Sequence, residues 1–176
     1  SPTRAALLTG RYPMRYGLQV GVVRPWAQYG LPLEERTLPQ ALKEAGYETA
    51  LTGKWHLGST PMGFDYWEVL PGQGDYYNPD FLTRAGRARS EGYATDVITD
   101  KSLDWLREQR DPDKPFMLMV QHKAPHRNWM PALRHLNKYD SVQFPLPNTY
   151  FIEHEGSIAS QEQLQTIYED MYEGHD

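Results

Sequence analysis

Cysteine is absent from the 176 residues. Within them no disulfide, thiolate metal site or thiol nucleophile can form. No apolar run approaches the roughly 18 residues that a membrane-spanning helix needs. Positive charge is in the minority, with 18 Lys and Arg against 23 Asp and Glu and a net charge of −5. That balance argues against nucleic acid, whose binders usually carry a basic stripe. Internal repeats and low-complexity tracts are missing too. The opening Ser1-Pro2-Thr3-Arg4 is neither a signal peptide nor an initiation site, so the chain reads as cut from a longer protein.

What remains suits one domain or a piece of one. Hydrophobic residues make up 39% and charged residues 23%, which excludes a disordered chain and a coiled coil. The 12 Tyr and 5 Trp could face carbohydrate, although aromatics more often fill cores.

The pattern predicts a short first helix, capped by Ser1, with Pro2 in its first turn and Gly10 at its end. Residues 11–36 read as loop, with a short strand at Leu18–Val23. Thr37 to Gly46 reads as a helix with a Thr37/Gln40 capping box and a Leu38, Ala41, Leu42, Ala45 stripe. Tyr47 to Leu51 reads as a strand. Residues 59–94, rich in Gly, Pro, Tyr and Asp, read as a long irregular stretch of the kind that is functional or flexible. A second helix is expected from Thr95 to about Glu108, with Ile98, Ser102 and Trp105 on one face, then a turn at 111–115. Phe116 to Val120 reads as a strand buried on both faces of a parallel sheet. Residues 130–159 read as irregular, and Ser160 to Tyr172 as a third helix. Alternating helices and strands predict an α/β fold, a mainly parallel mixed sheet flanked by helices. In such folds ligands sit beyond the carboxyl ends of the strands.

Chemistry-bearing residues gather in the loops expected there. Lys54 and His56 stand at i and i+2, on one side if the chain is extended. A cation beside an imidazole at a strand end suits an anionic substrate; the plainer reading is a surface Lys and a structural His. His122-Lys123-Ala124-Pro125-His126-Arg127-Asn128 follows the expected buried strand. A His there could act as a general acid. His122 and His126 are spaced for a metal on a helix, but Pro125 argues against helix and no further ligands stand out. Arg4 lies one turn into a helix whose N-terminus could attract an anion.

Taken together, these segments are more specific than any one of them. Residues 1–11, Ser-Pro-Thr-Arg-Ala-Ala-Leu-Leu-Thr-Gly-Arg, resemble the first sulfatase signature without its leading cysteine. Residues 46–58, Gly-Tyr-Glu-Thr-Ala-Leu-Thr-Gly-Lys-Trp-His-Leu-Gly, resemble the second. The chain is similar to type I, formylglycine-dependent sulfatases of the alkaline-phosphatase-like superfamily. Lys123 to Trp129 resembles bacterial enzymes acting on N-acetylglucosamine 6-sulfate or related glycans, and Met14 to Leu38 resembles arylsulfatases.

The resemblance implies a sulfuric ester hydrolase acting on a sulfated carbohydrate or aryl sulfate. It implies a formylglycine nucleophile, made from a cysteine that would precede Ser1, and a calcium ion whose ligands have no counterpart identified here. Arg4, Lys54, His56 and His126 match the family's catalytic arginine, lysine and two histidines. Asp75, Tyr76, Asn78, Arg127, Asn128 and Trp129 are expected to border the sugar, with core packing as the plain alternative for Tyr76 and Tyr77. The chain is expected to be one piece of the catalytic domain, inactive alone, from a periplasmic or secreted parent. Two other functions stay open. One is a phosphonate or phosphodiester hydrolase of the same superfamily, separable by substrate turnover. The other is a non-catalytic sulfated-glycan binder, separable by the residue before Ser1.

Overall fold

The computed structural model describes residues 1–24, 26–148 and 158. The chain forms two compact units, Ser1–Pro125 and His126–Asp176. Among the described residues no helix is long and apolar enough to cross a membrane.

The first unit is built on a five-stranded sheet. Its helices are α1 (Pro2–Thr9), α2 (Leu38–Glu44) and α3 (Ala94–Asp104). Its strands are β1 (Glu48–Lys54), β2 (Tyr66–Leu70), β3 (Asp80–Thr83), β4 (Gly86–Arg89) and β5 (Phe116–Gln121), in the order β4-β3-β2-β1-β5. β1 runs parallel to β2 and to β5, whereas β2–β3 and β3–β4 are antiparallel. The sheet is therefore mixed and flanked by helices, as the helix–strand alternation predicts.

Each face has its own apolar cluster. Leu51, Phe64 and Val69 join Ala5 and Leu8 of α1 and the loop residues Leu18, Val23 and Leu31. On the other side Leu70, Phe81 and Ile98 pack together under α3. Full burial of an aliphatic side chain such as Ile98 contributes about 1.5–3 kcal/mol. Thr52 and Ser102 hydroxyls, both buried, meet at 2.7 Å and tie β1 to α3.

The helix starts and stops follow the expected chemistry. α1 ends at Gly10 with φ 65°. Gln40 Oε1 accepts from the Thr37 backbone N–H at 2.7 Å, as the capping box requires. In the α3 segment Ile98, Ser102 and Trp105 are all buried.

Five expectations need correction. Leu18–Val23 forms no strand; Leu18 and Val23 are buried as loop anchors instead. Leu38 is exposed, because the short helix turns Pro39 inward. β1 runs three residues past Leu51, so Lys54 ends a strand rather than lying in a loop. The stretch 59–94 holds three strands. Its Tyr66–Leu70 run is β-branched and aromatic enough to pair, and a Thr83–Gly86 turn closes the β3–β4 hairpin. Finally, β5 is not buried on both faces: Phe116 and Val120, on one face, are exposed, and among the described residues it is an edge strand paired only with β1. The expected helix at Ser160–Tyr172 lies outside the described residues.

Gly53 is the tightest point of the sheet. Its φ is 95°, and a Cβ there would lie 2.1 Å from the Gln121 carbonyl oxygen. Left-handed backbone strain alone costs on the order of 1–3 kcal/mol for a non-glycine residue. Gly53→Ala is therefore expected to lower the free energy of unfolding by at least that much, and the denaturation midpoint with it, because the clash is with backbone and cannot be relieved by a rotamer. A midpoint within error of wild type would show that the β1–β5 approach is looser than described.

The second unit is described to residue 148, apart from Ile158. Residues 126–148 are irregular apart from a 3-10 turn at Leu133–His135, as expected for the described part of this stretch.

Candidate active site

The carboxyl end of β1 is where the first unit concentrates positive charge. Lys54 is the last residue of the strand and is only 7% exposed. Its ammonium donates to Oε1 of Gln73. Burial chiefly, then the charges of Arg4 and Lys123, depress the Lys54 pKa to about 8. The group still carries its proton near neutral pH, under strain that a bound anion would relieve.

Arg4 reaches the same place from α1. Its guanidinium donates to the Trp55 carbonyl oxygen at 3.4 Å, and burial lowers its pKa. Ser1 was expected to cap α1 with its side chain. Instead its hydroxyl donates to the His56 carbonyl oxygen and accepts from the Val23 N–H, both at 2.9 Å. The start of α1 is thus stitched to the residue after Trp55, which is how a distant sequence segment joins the site.

His56 does not continue the strand. Its φ is 55°, so the extended i, i+2 geometry expected for Lys54 and His56 ends at Lys54. The ring is 8% exposed, and Nε2 is buried with no hydrogen-bond partner. Burial first, then the charges of Lys54 and Arg4, push its pKa down to about 4; a bond to the Val23 backbone opposes the drop. The imidazole is neutral at pH 7 and carries a bare nitrogen amid cations. Few natural groups are left this way unless a ligand completes them.

This arrangement has a stability signature. Between about 4 and the ordinary 6.5 the unfolded chain binds a proton at His56 that the folded chain does not. Stability therefore rises as pH rises through that window and falls as pH drops. Denaturant midpoints at pH 4.5 and 7 should differ more for wild type than for His56→Gln. Equal pH dependence in the two proteins would place His56 in contact with water.

Two residues not singled out from the sequence stand in this site. Gln73 lies in the Pro71–Gly74 turn, closed by a Gly74 N–H to Pro71 carbonyl bond of 2.9 Å. Gly72 has φ 54°, a conformation that favours glycine. Lys123, in the loop after β5, is 7% exposed. Its ammonium sits 4.6 Å from the centre of the Tyr76 ring and 3.4 Å from the Gln73 carbonyl oxygen. Burial lowers its pKa, and Asp75 opposes the shift. The Pro-Gly-Gln-Gly turn and the Lys inside the 122–128 run were the available signals. Neither says in sequence that the two meet.

The expected sugar-facing residues divide. Asp75 lines a cleft of about 590 Å³ together with His56, Gln73, Trp67, Arg24 and Arg87. Tyr76 is buried and stacked on Tyr93 at 6.1 Å, so its exposed surface is small. Asn78 accepts from the Gly92 N–H at 2.9 Å and pins the loop before α3. In the second unit, His126 Nδ1 and the Arg127 carbonyl oxygen are 2.7 Å apart, which puts the ring proton on Nδ1. Asn128 and Trp129 are exposed and Arg127 is half-buried.

Neither implied cofactor finds its attachment here. Among the described residues no three His, Asp or Glu side chains group so as to hold a metal ion. The sequence has no cysteine from which formylglycine could form.

The comparisons agree with the geometry. The sulfatase family model matches residues 1–172. The chain is 45% identical over 170 residues to an N-acetylglucosamine-6-O-sulfatase of Bacteroides thetaiotaomicron, covering 94% of this chain and 29% of that protein. It is 34% identical to mouse arylsulfatase J, covering 81% of this chain and 27% of that one. A solved structure in complex with its substrate D-glucosamine-2-N,6-O-disulfate superposes with a TM-score of 0.79 at 45% identity, over 88% of this chain and 31% of that one. The chain thus spans less than a third of the length of these relatives. With its signature residues gathered at the end of β1, the chain belongs to the sulfatase family.

Proposed function

We propose that the chain supplies the oxyanion-binding part of a carbohydrate sulfatase active site, with 6-O-sulfated glucosamine as substrate. The observation that carries this reading is the buried, unpartnered Nε2 of His56 surrounded by the cations Arg4 and Lys54. A sulfate monoester is anionic, and more charge develops on its oxygens as the bond to the sugar breaks. Preplaced cations in a dry site stabilise that charge without reorganising. Overall, water is consumed, the sulfur–oxygen bond to the sugar breaks, and sulfate and alcohol leave.

In this reading Arg4 and Lys54 hold the sulfate oxygens. His56, neutral at pH 7, accepts a proton at Nε2, and the incoming anion raises its basicity from the depressed resting value. His126, as the imidazolium with its Nδ1 proton held by the Arg127 carbonyl oxygen, gives its Nε2 proton to the departing sugar oxygen. Asp75 at the cleft contacts the sugar, and Tyr76 and Asn78 shape the loops behind it; by the family resemblance, Arg127, Asn128 and Trp129 are further sugar contacts. The choice of glucosamine 6-sulfate is supported by the 45% identical relative. The parent protein works in the periplasm or outside the cell, where sulfated glycans are met.

The test is sulfate release by a protein that spans the full length of the relatives. Glucosamine-2-N,6-O-disulfate and N-acetylglucosamine 6-sulfate should be turned over, and a phenylphosphonate ester should not. Faster phosphonate turnover would move the chain to the sister chemistry. Tight sulfated-sugar binding without release would make it a binder.

A further inference from the structure

Gln73 touches both buried lysines with different atoms. Its side-chain Oε1 accepts from Lys54, and its backbone carbonyl oxygen accepts from Lys123. The two lysines come from neighbouring strands: β1 ends at Lys54, and β5 ends two residues before Lys123. They meet at Gln73, which lies in the loop after β2. Three strand ends thus converge on one glutamine.

An amide is a suitable clamp for this purpose. A carboxylate in its place would neutralise a lysine and weaken its pull on an anion. An amide oxygen orients the ammonium and leaves its full charge. Each ammonium has three donors, so the bond to Gln73 leaves others for a ligand. Lys123 is also held by the face of Tyr76, another contact that keeps its charge.

We propose that Gln73 is a positioning residue that yokes Lys54 and Lys123, so that two ammonium groups rather than one are presented to the sulfate. This rests on the sulfatase reading for its ligand, but the yoke itself does not. The charged and titratable groups about Lys54 are Arg4 from α1, Lys123 from the loop after β5, and His56; Asp75 acts on Lys123.

The experiment has two arms. In the first, lysine ε-13C NMR follows the Lys54 titration in this chain. Lys123→Met removes a neighbouring like charge and should raise the Lys54 pKa. Gln73→Glu adds an anion at the acceptor and should raise it too, whereas Gln73→Ala removes the acceptor and should lower it. A merely structural role would not produce shifts of opposite sign at one position. If Gln73→Ala fails to fold, the other two variants still decide. An unchanged Lys54 pKa in both Lys123→Met and Gln73→Glu overturns the yoke.

The second arm measures inorganic sulfate binding by calorimetry. Loss of one charged hydrogen-bonding group should weaken the affinity about tenfold in Lys123→Met, with recovery in Lys123→Arg. Unchanged sulfate affinity in Lys123→Met overturns the two-ammonium site. No sulfate binding by wild type, with the expected lysine shifts, would sink the sulfatase reading and leave the yoke standing.

Discussion

Lys54→Ala is expected to lower sulfate-ester turnover about 10²–10³-fold in a protein spanning the full length of the relatives. The reason is the position of the ammonium. Lys54 ends a strand paired on both sides, its head group is buried, and Arg4 and Lys123 already strain its charge. Removing it takes away stabilisation that grows as charge develops on the leaving oxygens. Lys54→Arg keeps the charge but replaces a compact head group with a planar fork, so it should recover only part of the rate. The measurement is kcat/KM for all three proteins on one sugar sulfate. Equal, near-wild-type values for both variants would return Lys54 to the role of a structural lysine.

The second large effect separates leaving groups. If His126 protonates the departing oxygen, His126→Ala should slow a sugar sulfate by about 10²–10⁴-fold. A nitrophenyl sulfate should be slowed far less, because nitrophenolate leaves without a proton. The ratio of the two losses isolates the acid role from any effect on binding. His56→Ala should reduce both substrates alike, since its proton transfer is not to the leaving group. Equal losses on both substrates for His126→Ala would remove the acid from residue 126 and leave that histidine as a binding group.

Much of this site was legible because its residues sit in two local strings. Ser1 to Arg11 and Gly46 to Gly58 each carry their own pattern, and Arg4, Lys54 and His56 fall inside them. The helices α1, α2 and α3 were legible for a similar reason: caps, Gly stops and apolar spacing are local. The strands β2, β3 and β4 were not. Their segment is dense in Gly, Pro and Asp, and only pairing across the sheet turns Tyr66–Leu70 and the short hairpin into strands. The half-exposed state of β5 was equally hidden, since an apolar run does not say how many neighbours it has. Ser1 shows the limit from another side. Its cap-like position was read correctly, but its hydroxyl is used across 55 positions to hold His56, a contact no local rule contains. Gln73 and Lys123 are 50 positions apart and meet only when β2 and β5 flank β1.

The sheet order has a consequence for how the site fails. β1 sits between β2 and β5, so freeing the strand from the sheet requires both ladders to open, and its amide hydrogens are protected on both sides. The Pro71–Gly74 turn is held by far fewer backbone bonds and can open in a sub-global fluctuation. Lys54 is thus mounted on a slow-exchanging segment, while its glutamine partner rides on a fast one. Mild denaturation would release the second lysine and loosen the first before the sheet itself melts, so anion affinity would decline ahead of the circular-dichroism transition.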